Sequence, residues 1–116
     1  MSLTVIDLGH VLQSGRTTMM VGMLEALSTH GNVFHISSTR QVAEDLKQRR
    51  FPLAARRIYF IDIKDAMRHL DFLGTARAVG IDDTHTMERE QLDELVRKLR
   101  ISLSVMTGPT QLILAR

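Results

Sequence analysis

At 116 residues the chain is one domain spanning 1–116, large enough to bury a single core and too short for two. Hydrophobic residues make up 44% and charged residues 24%, an ordinary balance for a globular protein, and a formal charge of +2 is too small to argue for nucleic acid. Without cysteine, a disulfide framework and a thiolate metal site are excluded; without a long apolar run or a signal-like start, a cytoplasmic protein with no membrane partner is expected.

The opening stretch, Leu3-Thr4-Val5-Ile6-Asp7-Leu8, reads as a short strand or, because Leu3, Ile6, Val11 and Leu12 share a helical spacing, as one face of a helix. Next come Ser14-Gly15-Arg16-Thr17-Thr18 and the apolar run Met19-Met20-Val21-Gly22-Met23-Leu24. A glycine, a fixed positive charge and two hydroxyls at the mouth of a helix make a phosphate cradle: backbone N–H groups wrap the anion and the helix dipole favours it. In the phosphate-loop pattern G-x-x-x-x-G-K-S/T, Gly15, Arg16 and Thr17 take the places of the second glycine, the cation and the hydroxyl. The first glycine falls at His10, with Gly9 one place early, and Arg16 offers a planar fork where the pattern has the point charge of lysine.

The helix from Thr17 to His30 is apolar around the whole wheel, which predicts burial on most sides, with Gly31 as its left-handed cap. Val33 to Ser37 reads as a buried strand. Ser38 with Gln41 forms a capping box for a helix running to about Arg50 that points Val42 and Leu46 inward and stops before Pro52. Lys47, Arg49, Arg50, Arg56 and Arg57 form a local basic patch, either a solvated surface or a contact to phosphate backbones. Ile58 to Ile63 is rich in β-branched and aromatic residues and is the clearest strand. A short helix from about Lys64 to Phe72 ends at Gly74.

Ala76 to Ile81 is a further apolar run, terminated by Asp82-Asp83. Leu92, Leu95, Val96 and Leu99 keep helical spacing in a helix from Met87 to Arg100, whose acidic first turn and basic last turn match the helix dipole. Two strands, Ile101 to Met106 and Gln111 to Ala115, bracket the turn Thr107-Gly108-Pro109-Thr110. Strands alternating with helices define an α/β domain with a mainly parallel sheet. His10, His30, His35, His69 and His85 show no zinc-like spacing, so surface or capping roles are the default for them.

Four stretches fall at or just after the carboxyl ends of predicted strands, where open α/β sheets bind ligands: the phosphate loop, Ile36 to Arg40, Asp82 to His85, and Thr107 to Thr110. On these motifs the chain resembles P-loop NTPases of the additional-strand type, the group of RecA-like ATPases, helicases and terminases. Gln13 to Thr18 is similar to the loop of small phage-type ATP-binding proteins that reads Gly-Arg-Thr-Thr. Ile81 to His85 resembles a Walker B box, more narrowly the Asp-Glu-x-His box of helicases with Asp83 in the glutamate position.

The resemblance implies a three-layer P-loop NTPase-like fold that binds ATP with Mg2+. It places Ser14, Gly15, Arg16, Thr17 and Thr18 on the nucleotide, Thr17 and Asp82 on the metal, and Asp83 as the catalytic base. It further places His85 and Thr107 in coupling, and Thr39 and Arg40 with the basic patch on DNA or RNA. Because Asp83 is one methylene shorter than glutamate, slow hydrolysis and binding without hydrolysis are both compatible with the residues. A domain of this size has no second lobe to supply an arginine to the transferred phosphate, which implies a homo-oligomer or a partner protein, with Arg77 and Arg100 as the chain's own candidates.

Overall fold

The computed structural model describes residues 2–9, 15–48, 58–104 and 109–116. In chain order these form β1 (Ser2–Asp7), α1 (Arg16–Leu27), β2 (Val33–Ser37), α2 (Arg40–Gln48), β3 (Ile58–Asp62), α3 (Ile63–Arg68), α4 (Leu70–Leu73), β4 (Ala78–Ile81), α5 (Arg89–Ser104) and β5 (Pro109–Leu114). The five strands make one sheet in the order β1-β5-β4-β2-β3, with every neighbouring pair parallel. β1 is therefore a strand, which resolves the strand-or-helix ambiguity of the opening stretch.

Crossovers between parallel strands are right-handed, so the direction of each step across the sheet decides which face its helix covers. From β1 to β2 to β3 the chain steps one way, and from β3 to β4 to β5 it steps back. Helices accordingly lie on both faces, giving three layers. One core packs Met20, Val21 and Leu24 of α1 and Leu46 of α2 against Val33, Ile58, Phe60, Ala78 and Ile113. The other packs Leu95, Leu99 and Leu103 of α5, with Ile63 and Leu73, against Phe34, Ile36, Val79, Ile81 and Leu112. The central strands β2 and β4 are buried along their whole length, as strands covered on both faces must be, with the polar His35 and Ser37 of β2 enclosed along with its apolar residues.

Local chemistry explains where several elements depart from expectation. α1 is buried along one stripe only: Thr18, Met19, Gly22 and Ala26 face outward, because a helix in an outer layer has one neighbour below it and water above. Gly31 does not form a left-handed cap. At φ 153° and ψ −171° it is in a region open essentially to glycine alone, after a 3-10 turn of Ser28–His30. The cap of α2 is Thr39, whose Oγ1 accepts from the Val42 N–H at 3.2 Å; Ser38 stands one residue too early, and Gln41 bonds Asp45.

The helix expected over Lys64 to Phe72 is two helices broken at His69 (φ −124°, ψ 39°), the first capped by Asp62 through the Asp65 N–H at 3.1 Å. Ile101 to Ser104, expected to open a strand, instead extend α5 by a turn. Leu103 continues the buried seam of Leu95 and Leu99 at intervals of four, and that packing outweighs the β-preference of Ile101, which stays 60% exposed.

Among the described residues no helix is long and apolar enough to cross a membrane.

Candidate functional site

At the carboxyl ends of the strands, β4 connects onward through the α5 layer while its neighbour β2 connects onward through the α1 layer. The chain thus parts to opposite faces between them and opens the crevice where such sheets bind ligands. Asp82 emerges from β4 at this point, and its N–H is tied to the Ile36 carbonyl of β2 at 2.9 Å.

The first turn of α1 stands over that crevice. Gly80 of β4 makes the close approach possible: a Cβ there would meet Met20 Sδ at 2.7 Å and Leu24 Cδ1 at 3.2 Å. With α1 so close, Thr17 Oγ1 donates to Asp82 Oδ2 at 2.7 Å. α1 begins with the Met19 N–H bonded to the Gly15 carbonyl at 2.9 Å, which leaves the N–H groups of Arg16, Thr17 and Thr18 without helical acceptors. Among the described residues no side chain caps this end, and its first turn holds no acidic residue. Among the described residues nothing neutralises the positive end of the helix dipole, an arrangement that suits an anion.

Asp82 is 2% exposed, and its carboxylate is held from three sides. Oδ2 receives Thr17 and also lies 3.2 Å from His35 Nε2, while Oδ1 accepts the Asp83 N–H at 2.9 Å. Burial pushes the Asp82 carboxyl up, but the hydrogen bonds from His35 and Thr17, the electrostatic attraction of His35 and the Asp83 N–H outweigh it and hold it below the ordinary value. The result is an ionised, buried carboxylate with a hydroxyl beside it. That donor set of hard oxygens suits magnesium, which binds by one or two protein oxygens together with phosphate and water. Among the described residues no group of three or more His, Asp or Glu could hold a metal ion.

Asp83 has φ 52° and ψ 43°, and is the one non-glycine among the described residues with positive φ. Aspartate tolerates this left-handed conformation better than most residues, and such outliers cluster at functional sites. The following 3-10 turn, Thr84–Thr86, is anchored by the Thr84 N–H on the Ala115 carbonyl at 3.0 Å. It carries His85 to the wall of an open cleft of about 850 Å³, where Arg97, Arg100, Arg116 and Asp7 surround a floor that includes Leu92 and Val96.

The structure thus brings Gly15, Thr17, Asp82 and Asp83 together, with the exposed Thr18 in the same turn, and sets His85 and Arg100 in a common cleft behind them. Thr39 and Arg40 are exposed at the start of α2. Arg77 precedes β4 at the amino ends of the strands, opposite Asp82. Ser14, Thr107, Arg49, Arg50, Arg56, Arg57 and the Arg16 side chain lie outside the described residues. The surface or capping role expected of His35 is overturned, since it is completely buried and bonded to Asp82. Its signal in the sequence is a histidine inside a five-residue apolar strand with Ser37 two places on, hence on the same face.

Compared with protein-family models and with curated protein sequences, the chain matches none.

Proposed function

We propose that the protein binds ATP with magnesium at the crevice between α1 and the end of β4, and that it is an ATPase whose turnover is coupled to nucleic acid or to a partner protein. The single observation that carries this reading is the bond from Thr17 Oγ1 to Asp82 Oδ2 at 2.7 Å. It joins the hydroxyl of the phosphate-loop motif to the carboxylate that the sequence resemblance assigns to the metal. Support also comes from β5, a strand interposed between β1 and β4, as in P-loop NTPases of the additional-strand type.

Phosphate oxygens would be taken by the N–H groups of the first turn of α1, with Arg16 as the counter-charge. Thr17 and Asp82 would hold magnesium, which when bound supplies neutralisation of the phosphate charge. Asp83, next along the chain, would orient the attacking water and accept its proton. A homo-oligomer or partner protein would supply an arginine to the transferred phosphate; Arg100, which lines the same cleft as His85, is the chain's candidate for that role toward a neighbour.

A second reading, a nucleotide-binding module without efficient hydrolysis, is favoured by Asp83, whose short side chain rises from a left-handed backbone. Phosphate release from ATP in magnesium, measured for the wild type and Asp83→Ala with and without single- and double-stranded DNA, separates the two. The ATPase reading expects release that Asp83→Ala abolishes while ATP binding survives. Binding without release selects the module, and absence of binding refutes both.

A further inference from the structure

His35 lies at the middle of β2, paired across the sheet with Gly80 of β4 and Phe60 of β3, and is fully buried. An imidazole in the interior is costly unless both ring nitrogens find partners. Here Nε2 lies 3.2 Å from Asp82 Oδ2 and Nδ1 lies 3.4 Å from Ser37 Oγ. An ionised carboxylate is acceptor-only, so the proton of this contact sits on Nε2, whether the ring is neutral or charged. In the neutral ring Nδ1 is then the acceptor for the Ser37 hydroxyl.

Two donors therefore converge on the same oxygen of Asp82, and they differ in freedom. Thr17 lines the crevice, and its hydroxyl keeps lone pairs for a metal while its proton stays on Asp82. His35 is enclosed by β3, β4 and the Phe60 ring, whose centroid lies 5.5 Å away, and cannot reach a ligand in the crevice. Its bond to Oδ2 therefore serves Asp82 alone.

We infer that His35 is a positioning residue that keeps the Asp82 carboxylate aimed at the metal position. The inference rests on the magnesium–ATP reading of the site and adds to it a residue that acts only through Asp82.

The test is an equilibrium titration of magnesium against a fixed concentration of a fluorescent ATP analogue, for the wild type, His35→Gln and His35→Leu, with binding in EDTA measured alongside. Glutamine places an amide N–H close to the Nε2 position; leucine keeps much of the volume and has no donor. Nucleotide affinity in EDTA should agree within about twofold across the three proteins, because phosphate contacts at α1 are untouched. The magnesium concentration at half-saturation should rise by about 10-fold or more in His35→Leu, the range for loss of a residue that orients a metal ligand, and by about threefold or less in His35→Gln.

Coincident titrations for wild type and His35→Leu overturn the inference while leaving the nucleotide reading intact, as do equal shifts in both variants, which would mark a packing role. If His35→Leu does not fold, His35→Asn, whose amide is too short to reach Asp82, takes its place, and a wild-type titration for it is equally contradictory. Wild-type protein that binds no nucleotide at all overturns the reading of the site and this inference with it.

Discussion

Thr17 Oγ1 and Asp82 Oδ2 meet at 2.7 Å across 65 positions of chain, and their contact joins the helix that opens after the phosphate-loop motif to the strand that ends in the acidic pair. A hydrogen bond to an ionised, buried acceptor contributes about 1.5–3 kcal/mol. Thr17→Val, which keeps the shape and removes the hydroxyl, should lower stability to urea by about that amount. Thr17→Ser should stay near the wild type. A valine variant as stable as the wild type would show that the contact holds nothing.

The ionised form of Asp82 is favoured in the folded state, since its carboxyl is held below the ordinary value of 3.8. The sign follows: the folded protein binds a proton at Asp82 less readily than the unfolded chain, so this stabilisation is complete above the unfolded value and is lost as pH falls through the folded one. The stability difference between wild type and Asp82→Asn should shrink once pH drops below about 4. Urea unfolding of both proteins above and below that pH checks it. A gap that widens towards acid would have the wrong sign.

Gly80 sets how closely α1 can lie on β4, with Met20 Sδ 2.7 Å and Met20 Cγ 3.0 Å from the position of an added Cβ. Methionine is adaptable, so Gly80→Ala can be absorbed in part. Gly80→Val should destabilise by about 1–3 kcal/mol, as overpacking does, and by lifting α1 it should weaken nucleotide binding as well. Chemical denaturation and an ATP-analogue titration read the two effects. A stable Gly80→Val protein with unchanged binding would mean that this contact does not set the site.

If Arg16 neutralises phosphate, Arg16→Ala should weaken nucleotide affinity by about 1.5–3 kcal/mol, roughly 10- to 150-fold, as loss of a charged hydrogen bond does. Calorimetry gives the value directly. An unchanged dissociation constant removes Arg16 from the site.

Much of the layered fold could be read from local pattern. β2 appears as an unbroken run, Val33 to Ser37, because its burial is continuous, and β3 as a β-branched and aromatic cluster. Four of the candidate site residues, Gly15, Thr17, Asp82 and Asp83, also announce themselves, because glycine, hydroxyl and carboxylate at turn positions have recognisable chemistry. What local pattern misses depends on distant partners. His35 acquires its role from Asp82, 47 positions away, and nothing beside it in the chain indicates that bond. The extra turn of α5 has the same origin, since Leu103 is helical on account of the sheet it packs on, whereas Ile101 beside it carries the opposite local preference. The outward face of α1 is not legible from the wheel because small apolar residues such as Gly22 and Ala26 suit an exposed helix as well as a buried one.

The most direct measurement is calorimetric titration of ATP into the wild type and Asp82→Asn, each in magnesium and in EDTA. The account requires saturable wild-type binding that is tighter with magnesium, and an Asp82→Asn variant that still binds ATP but no longer gains from the metal. Wild-type protein that shows no saturable binding, or an Asp82→Asn variant with the full magnesium dependence, would contradict it.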